Sequence, residues 1–531
     1  MRKFIIVTGG VISGLGKGIA AASIGKLLSN NFKVIPVKCE GYLNVDPGTM
    51  NPYEHGEVFV LEDGEEADMD FGHYERFIGV NCKAKWNITM GKVFQGVNEK
   101  ERRGDYLGKT VQYIPHVTNY IKGKWNEIAQ EENADILLIE IGGTVGDIET
   151  ELHIEAARQL RRDYGDENVL YVHLTYIPVP ENVKEQKTKP TQQSVNLLSE
   201  RGIQADIIIG RCKEPLTEKS KEKIALFCNV KKEAVISGHD VQSVYEVPLL
   251  YDNQNILEII KDKLKIEVHP ELKEWNNLVY NIYHPEKEIN VAICGKYTDL
   301  EDSYVSINEA LVHSGAHFKT RVKTKFVETD DNATNFEQIN SQLSNVDAVI
   351  VPGGFGKRGT DGKINVIKYC REKNIPFLGI CLGLQLAVAE FARNICGLEN
   401  ANSTEFDSST KYPVIDILPE QINVTHKGGS MRLGSCIANV LENSLISKLY
   451  NSTKVSERHR HRYEVNPSYH QILQQKGLLL SGMSENGRLV EFIELPNHKY
   501  FVGTQSHPEL KSSLLKPAPL FYGLVSSALN L

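Results

Sequence analysis

The sequence predicts an α/β protein with two doubly wound domains, each a parallel sheet with helices on both faces. Short β-rich apolar runs alternate with longer amphipathic segments through most of the 531 residues, a rhythm typical of parallel sheets. The rhythm stops near residues 265–288, where two His-Pro pairs and many charges occur, and then starts again. We therefore expect domains at residues 1–266 and 289–531, joined by a linker at 267–288.

Five apolar runs predict the strands of the first domain, namely KFIIV, KVIPVK, DILLIEI, NVLYVHLTYI and ADIIIG. Between the first two, KGIAAASIGKLLSNN has helical spacing, which places Ala20, Ile24, Leu27 and Leu28 on one face. Pro36 lies inside the second run and predicts a sheet edge or a strand start, because proline cannot donate to a ladder. In the second half, INVAICG, VKTKFVE, DAVIVPGG and IPFLGICLG predict another sheet.

Composition and charge argue against several classes of function. The net charge is -8, which disfavours nucleic acid or an anionic membrane as a partner. The start of the sequence does not resemble a signal peptide, and no apolar run has the length of a membrane span. The nine cysteines include no C-x-x-C pair and predict reduced thiols without a zinc site. These features predict a cytoplasmic protein.

A glycine-rich turn follows the first predicted strand in VTGGVISGLGKGIAAA, residues 7–22. Such a turn can hold phosphate, because its N–H groups and the following helix N-terminus converge. It is not a strict P-loop, since Gly18 and not Ser or Thr follows Lys17, and it also fits the dinucleotide fingerprint G-x-G-x-x-A with Glu40 downstream. Lys17 favours a nucleoside triphosphate over a dinucleotide, because a lysine inside the turn suits the denser negative charge of the triphosphate. The alternative to a phosphate-binding turn is a glycine-rich turn that binds no ligand, and this alternative stays open.

The sharper motif is GICLG at residues 379–383, a strand-to-helix turn with Cys381 in the nucleophile position. A helix N-terminus favours the reactive thiolate, although a free cysteine is more often a buried apolar residue. Two other segments favour the catalytic interpretation. VPGGFG offers N–H groups for an oxyanion, and QSHPEL offers His507 as a base and Glu509 as its orienter.

Longer motifs then connect the two halves. In chain order they are GKGIAAAS, NVDPGTMNPYEHGEVFVLEDG, DFGHYERF, KERRGDYLGKTVQ, EIGGTVGDIE, KTKPTQ, KIALFCNV, VPGGFG, GICLGLQ, ENANSTEF, GGSMRLG and RHRHRYEVN. With them, nearly the whole chain resembles the CTP synthase family. The resemblance implies a P-loop-type synthetase domain followed by a class I glutamine amidotransferase domain. The implied reaction is ATP-dependent amination of UTP to CTP, through a 4-phosphorylated UTP, with ammonia from glutamine.

The resemblance also implies site residues. The ATP site would comprise Gly14, Leu15, Gly16, Lys17, Gly18, Ile19, Asp70, His239, Asp240 and Val241, with Mg²⁺ on Asp70 and Glu140. The UTP or CTP site would comprise Ser13, Asp147, Ile148, Glu149, Lys187, Thr188, Lys189, Pro190, Thr191, Gln192 and Lys223. By charge alone, KEQKTKPTQQ would instead be a solvated loop.

In the amidotransferase half, the resemblance assigns catalysis to Cys381, His507 and Glu509. It assigns glutamine binding to Gly354, Leu382, Gly383, Leu384, Gln385, Glu405 and Arg462. His55 lies where the family gates an internal ammonia passage. CTP as a feedback inhibitor, a homotetramer and filament assembly are also implied.

The sequence departs from the family pattern in four places. The segment before GGSMRLG is short, with His426 and Lys427 as its basic residues, which predicts weak activation by GTP. Glu40, His239 and Ser506 replace residues that are common in the family. Three rival functions stay open. They are another ATP-dependent amidoligase, against which KTKPTQ and DPGTM argue, a partition-type ATP switch, which would have no use for a glutaminase half, and a structural role in filaments, which the sequence does not discriminate.

Overall fold

The computed structural model describes residues 2–45, 57–295, 304–329, 336–354, 356, 359–418 and 431–531. Contacts between Cα atoms divide the chain into two compact units, residues 1–47 with 70–279 and residues 48–69 with 280–531. The division differs from the two contiguous domains expected, because residues 48–69 group with the second unit. The segment expected to be a linker holds a helix, Lys273–Tyr283.

The described strands of the first unit form one parallel sheet in the order β5-β2-β6-β1-β7-β8-β9. Its strands are β1 (Lys3–Gly9), β2 (Val34–Glu40), β5 (Asn87–Thr89), β6 (Ile136–Ile141), β7 (Val169–Tyr176), β8 (Ile207–Cys212) and β9 (Val235–His239). Its helices are α1 (Lys17–Leu28), α2 (Asp70–Ile78), α3 (Met90–Arg103), α4 (Thr118–Glu131), α5 (Glu151–Tyr164), α6 (Lys189–Glu200), α7 (Glu218–Cys228), α8 (Val247–Asp252), α9 (Ile256–Leu264) and α10 (Lys273–Tyr283).

The order of this sheet places β1 in its interior, between β6 and β7. The apolar runs that predicted β1, β6 and β7 are buried almost throughout, as expected for strands covered on both faces. At Pro36 the described partner of β2 is β6 alone, because β5 pairs only with Lys38 to Glu40. Pro36 therefore has a strand partner on one side only, although β2 lies between β5 and β6 and is not an edge strand.

The second unit contains a larger, mixed sheet in the order β11-β10-β12-β13-β21-β20-β19-β16-β17. Pairing is parallel from β11 to β21 and antiparallel from β21 to β17. Its strands are β10 (Lys287–Gly295), β11 (Thr320–Glu328), β12 (Ala348–Val351), β13 (Phe377–Ile380), β16 (Arg432–Val440), β17 (Lys454–His461), β19 (Leu479–Ser484), β20 (Val490–Glu494) and β21 (Phe501–Thr504). The parallel part confirms the predicted α/β class.

Smaller elements complete the second unit. Its helices are α11 (Val305–His317), α12 (Phe336–Leu343), α13 (Thr360–Lys373), α14 (Leu382–Asn394), α15 (Leu445–Tyr450), α16 (His470–Gln475) and α17 (Pro519–Ala528). A small sheet contains β14 (Asn402–Ser403), β15 (Pro413–Ile417) and β18 (Tyr463–Val465). In the ranges that the structure describes, no helix of either unit combines the length and apolar composition that a membrane crossing needs.

Residues 57–69 join the second unit through the hairpin of β3 (Phe59–Val60) and β4 (Glu66–Ala67). Arg458 on β17 donates from Nη1 to the carbonyl of Val60 at 3.0 Å. Arg460 donates from Nε to Glu66 Oε1 at 2.7 Å. These partners are almost 400 positions apart in sequence, so local pattern could not predict them.

Two helical glycines give a matched stability test. A Cβ on Gly315 of α11 would lie 2.5 Å from the carbonyl oxygen of Thr320, whereas one on Gly123 of α4 would meet nothing within 4 Å. We expect Gly315→Ala to destabilise the fold by on the order of 1–3 kcal/mol, because the backbone of β11 must move. Gly123→Ala should stabilise it by about 0.5–1 kcal/mol. Calorimetric unfolding of both variants measures whether the two changes in the free energy of unfolding have opposite signs.

Candidate active sites

The glycine-rich turn connects β1 to α1 at the carboxyl edge of the first sheet. Gly14 and Gly16 have φ of 71° and 81°, a left-handed conformation that glycine adopts without strain. Gly16 is the N-cap of α1, and no side chain caps the helix. The first N–H groups of α1 are therefore available for an anion.

Lys17 is almost fully buried at the start of α1. Its Nζ donates to the carbonyl of Gly143 at 2.8 Å, and a Cβ on Gly9 would lie 2.7 Å from Lys17 Cδ. Burial lowers the pKa of Lys17, against the opposing charge of Glu140. The Lys17 side chain thus lies between the backbone of Gly9 and the carbonyl of Gly143.

A buried ion cluster, centred on Lys38 of β2, lies beside this lysine. Lys38 Nζ contacts Glu140 Oε1 at 2.6 Å and Glu40 Oε1 at 3.4 Å, and also Asp70 Oδ2. Tyr74 donates to the second oxygen of Glu140. Asp70 and Glu140, the two predicted metal ligands, are therefore brought together. Sequence reasoning missed Lys38, although its register opposite Glu140 places the two at one sheet edge.

The electrostatics of the cluster follow from its burial. Burial would lower the pKa of Lys38, but Asp70, Glu140 and Glu40 outweigh it and raise that pKa well above its usual value. Burial raises the pKa of Glu140. For Asp70, burial is outweighed by the ammonium of Lys38, which lowers the pKa. A Cβ on Gly18 would lie 1.9 Å from Asp70 Oδ1, so α1 approaches this carboxylate closely.

The segment His239 to Val241 lies at the end of the outer strand β9. Arg211 donates from Nη2 to Asp240 Oδ1 at 2.9 Å, and His239 Nδ1 lies 3.2 Å from Ser237 Oγ. Because β9 is three strands from β1, the segment lies roughly 14 Å from the glycine-rich turn along the same sheet edge. Sequence reasoning did not single out Arg211.

The residues expected to bind UTP or CTP fall into three places. Asp147 caps its own turn, accepting from Thr144 N at 2.9 Å, and Ile148 is 83% exposed. The KTKPTQ segment begins α6, with Lys187 in an exposed ion pair with Glu185. Lys223 is exposed on α7, the helix that also exposes Leu226 and Phe227. Two of these places are joined, because Glu185 pairs with Lys187 and, at 3.7 Å, also with Lys219 of α7.

In the second unit, Cys381 lies between β13 and α14 as predicted. Its φ is 53°, a left-handed conformation that is costly for a residue with a side chain. The Cys381 N–H donates to Thr504 O of β21 at 2.7 Å, which holds the turn. A Cβ on Gly353 would lie 3.0 Å from His507 Cε1 and 3.5 Å from Cys381 Cβ. A larger residue at 353 would therefore crowd both groups.

The three residues predicted as a triad are adjacent in the structure. His507 Nδ1 lies 2.7 Å from Glu509 Oε1, and Cys381 contributes to the pKa of His507. Burial disfavours the imidazolium, but the charge of Glu509 and the hydrogen bonds to Cys381 and Glu509 raise the pKa of His507 to about 10. His507 is therefore an imidazolium at neutral pH. Ser506, a departure from the family pattern, is buried and hydrogen-bonded to Thr504 at 2.6 Å.

Two glutamines surround the thiol. Gln505 Nε2 lies 3.7 Å from Cys381 Sγ, and Gln385 Nε2 donates to Gln505 Oε1 at 3.2 Å and to Tyr463 O at 2.8 Å. Gln385 was predicted to contact glutamine and Gln505 was not predicted at all. Its position two residues before His507 is the signal that could have found it.

The other predicted glutamine-binding residues surround the same turn. Leu382, Gly383 and Leu384 form the first turn of α14 and are buried, and Gly354 follows β12. Glu405 Oε1 accepts from Gly356 N at 2.9 Å. His55 and the short segment with His426 and Lys427 lie outside the described residues.

A second buried ion cluster, centred on Arg432, lies on the same sheet. Arg432 contacts Glu464 Oε1 at 2.9 Å and Glu491 Oε1 at 2.6 Å. His459 Nδ1 and His461 Nε2 are 3.1 Å apart. Burial, with the charge of Arg432, lowers the pKa of both histidines well below its usual value. Both are therefore neutral.

Comparison with known proteins decides the family. The profile of the CTP synthase N-terminus matches residues 3–266, and that of class-I glutamine amidotransferases matches residues 299–527. A CTP synthase of Methanococcus maripaludis is 54% identical over 99% of this chain and 100% of its own length. The chain belongs to the CTP synthase family.

Two further matches are a CTP synthase of Borreliella burgdorferi and a solved structure. The first is 50% identical over 99% of both chains. The second is the glutaminase domain of Trypanosoma brucei CTPS with bound acivicin, 35% identical over 46% of this chain and 94% of that domain, with a TM-score of 0.42. Membership of the CTP synthase family, shown by the two profiles and the full-length relatives, makes the chain a ligase of pyrimidine synthesis. It converts UTP to CTP with ATP and takes the nitrogen from glutamine.

Cys381 and the phosphate-binding turn belong to different units, so a variant at Cys381 can test the glutaminase site by itself. Cys381→Ser should abolish glutamine-dependent CTP formation, because the thiolate is needed only to release ammonia. Synthesis from added ammonium should stay near the wild-type rate. Both rates are measured by absorbance on one preparation, and Cys396→Ser, at a half-buried thiol away from the turn, is the matched control. Loss of both rates in a folded Cys381→Ser protein would contradict the assignment.

Proposed function

We propose that the carboxyl edge of the first sheet binds ATP and transfers its γ-phosphoryl group to the C4 oxygen of UTP. The observation that carries the proposal is the convergence of Lys17, Asp70 and Glu140 on the glycine-rich turn. Phosphoryl transfer depends on positive charge at the phosphates and on carboxylates that can hold a divalent cation. Phosphorylation of O4 makes it a good leaving group, which ammonia at C4 then displaces.

The donor set of this cluster fits Mg²⁺. Asp70 and Glu140 present hard carboxylate oxygens, the ligands that Mg²⁺ prefers, and this ion usually takes only one or two carboxylates besides phosphates and water. The described residues contain no group of three or more His, Cys, Asp or Glu side chains that could hold a metal ion. When bound, the ion would neutralise negative charge on the phosphates. Lys17 would contribute a fixed ammonium, and Lys38 would keep the two carboxylates close together.

The distance along the sheet edge supports the location of the ATP base. The residues His239 to Val241 lie three strands from the turn, roughly 14 Å away. An extended ATP can span that distance with its phosphates at Lys17. The exposed lysines of KTKPTQ and Lys223 would contact the triphosphate of UTP or of CTP, which as a product could inhibit by occupying the same place. Inhibition by CTP is a prediction. The cytoplasmic location expected from the sequence is also a prediction.

Glutamine hydrolysis is proposed to follow from the geometry at Cys381. The Sγ thiolate attacks the amide carbon, and the oxyanion is stabilised by N–H groups at Gly353 and Gly354. His507 gives its proton to the departing nitrogen, so that ammonia leaves and a thioester remains. Water, deprotonated by the now neutral His507, cleaves the thioester to glutamate, which expels the Cys381 thiolate and restores the imidazolium. Glu405 and Arg462 would bind the amino and carboxylate groups of glutamine.

Absorbance-monitored conversion of UTP to CTP, with ATP, Mg²⁺ and glutamine each omitted in turn, tests the proposal as a whole. Synthesis that persists without ATP or Mg²⁺ would contradict it. Conversion of another acceptor in place of UTP would indicate a different amidoligase.

The third prediction concerns the phosphate site. Lys17→Ala and Glu140→Gln should each lower synthesis by several orders of magnitude with either nitrogen source, because the phosphoryl group loses its charge stabilisation. Basal glutamine hydrolysis should persist. Glu127→Gln, an exposed carboxylate on α4, is the matched control. Near-normal ammonia-dependent turnover in Glu140→Gln would overturn the metal assignment.

The fourth prediction concerns assembly. We propose that the active form is a homotetramer and that nucleotides favour it, because a ligand that binds only the assembled form shifts the equilibrium by mass action. Sedimentation velocity with ATP and UTP together should show larger species than either the nucleotide-free protein or protein with ADP. A monomer at all protein concentrations with both nucleotides would refute the proposal, and larger polymers would indicate filaments.

A further inference from the structure

Strand β17 runs directly beside the turn that carries the triad's acid. On one side, the His507 N–H donates to Arg458 O at 2.7 Å. On the other, Lys511 Nζ donates to Ser456 O at 2.9 Å. Glu457 lies between these two carbonyls, and Glu509 lies midway between the two donors. These contacts hold the turn against β17, and the charge of Glu509 acts on Glu457.

Both carboxyl groups are buried and both are incompletely hydrogen-bonded. Glu457 is 5% exposed and Glu509 is 3% exposed. Oε1 of Glu457 accepts from Tyr450 at 2.8 Å, and Oε1 of Glu509 contacts His507. In each residue Oε2 is buried without a hydrogen-bond partner among the described residues. A buried polar atom without a partner costs free energy, so two such oxygens on neighbouring acids require an explanation.

The charges around Glu457 come from every element packed against it. They are Tyr450 on α15, Glu509 and Lys511 on the turn, Arg458 on β17 and Cys436, its register partner on β16. Burial raises the pKa of Glu457 to about 7, although Lys511, Tyr450 and Arg458 oppose the rise and Glu509 adds to it. Two adjacent buried carboxylates resist simultaneous ionisation. Glu509 is already paired with His507, and the rise in pKa falls on Glu457.

We propose that Glu457 is a positioning residue for glutamine hydrolysis, which keeps a proton on Oε2 and shares it with Oε2 of Glu509. Tyr450 occupies Oε1 of Glu457, which leaves Oε2 as the atom that carries the hydrogen. The shared proton gives each orphaned oxygen a partner and leaves one negative charge on the pair. The inference deepens the proposed function and rests on the proposed role of the triad.

The consequence for catalysis concerns His507. When Glu457 loses its proton, a second negative charge appears beside Glu509, which binds the imidazolium proton more tightly and repels Glu509 from its position. His507 then gives its proton less readily to the departing nitrogen. The rate of glutamine hydrolysis should therefore fall as Glu457 ionises, with little change in KM, because Glu457 does not contact glutamine.

The test is the pH profile of kcat for glutamine hydrolysis, measured on the full chain. Glu457→Gln keeps a neutral N–H donor and cannot ionise, so its decline at high pH should move to higher pH or disappear. Tyr450→Phe removes a hydrogen bond that favours the Glu457 carboxylate and should move the decline in the same direction. Glu457→Leu removes the shared proton and should lower kcat roughly tenfold. Glu442→Gln, at an exposed glutamate of the same unit, should reproduce the wild-type profile.

Ammonia-dependent synthesis on each preparation reports folding independently of the triad. A wild-type profile for both Glu457→Gln and Tyr450→Phe, with ammonia-dependent synthesis intact, would overturn the proposal. If Glu457→Gln failed to fold, the unshifted profile of Tyr450→Phe would overturn it alone. Failure of the triad itself is distinguishable, because it would appear as glutamine-dependent synthesis in Cys381→Ser.

Discussion

A carboxylate that is removed from water needs a cation within contact distance, and this requirement organises the active regions of both units. In the first unit, Lys38 gathers Glu140, Asp70 and Glu40. In the second, Arg432 holds Glu464 and Glu491, and His507 holds Glu509. Removing one partner of such a group costs far more than the pair itself contributes, because an uncompensated buried charge remains. These positions therefore tolerate little variation in residue type.

The same requirement prepares each site for its ligands. In the first unit, three carboxylates surround one ammonium, so the cluster contains surplus negative charge in a buried place. A bound divalent cation would balance it. Lys17 lies beside these carboxylates, and its Nζ donates to the carbonyl of Gly143. Its charge stays available for phosphate. In the second unit, the cation is a histidine, and its proton is the one that the reaction consumes.

Local pattern predicted much of this from the sequence. The strand-to-helix turns at residues 9–17 and 380–382 were visible because glycine, an apolar run and a helical period coincide. The order of the triad residues along the chain was also visible, because GICLG and QSHPEL each follow an apolar run. Lys38 was not, because a lysine inside an apolar strand has no local signal that its partners come from α2 and β6. The hairpin at residues 59–67 was not visible either, because the hydrogen bond and the ion pair that join it to β17 bridge almost 400 positions. Long-range charge pairing leaves no periodicity.

The pKa of His507 connects these points to catalysis. A general acid works best when its pKa lies near the working pH, yet the charge and hydrogen bonds around His507 raise its pKa to about 10. The proton for the departing nitrogen is thus in place before glutamine binds, but it is held tightly. Any further negative charge beside Glu509 would hold it more tightly still. A neutral acid at position 457 avoids that charge while it anchors Glu509 by a hydrogen bond. The buried glutamate of β17 thereby limits how strongly the triad stabilises its own imidazolium.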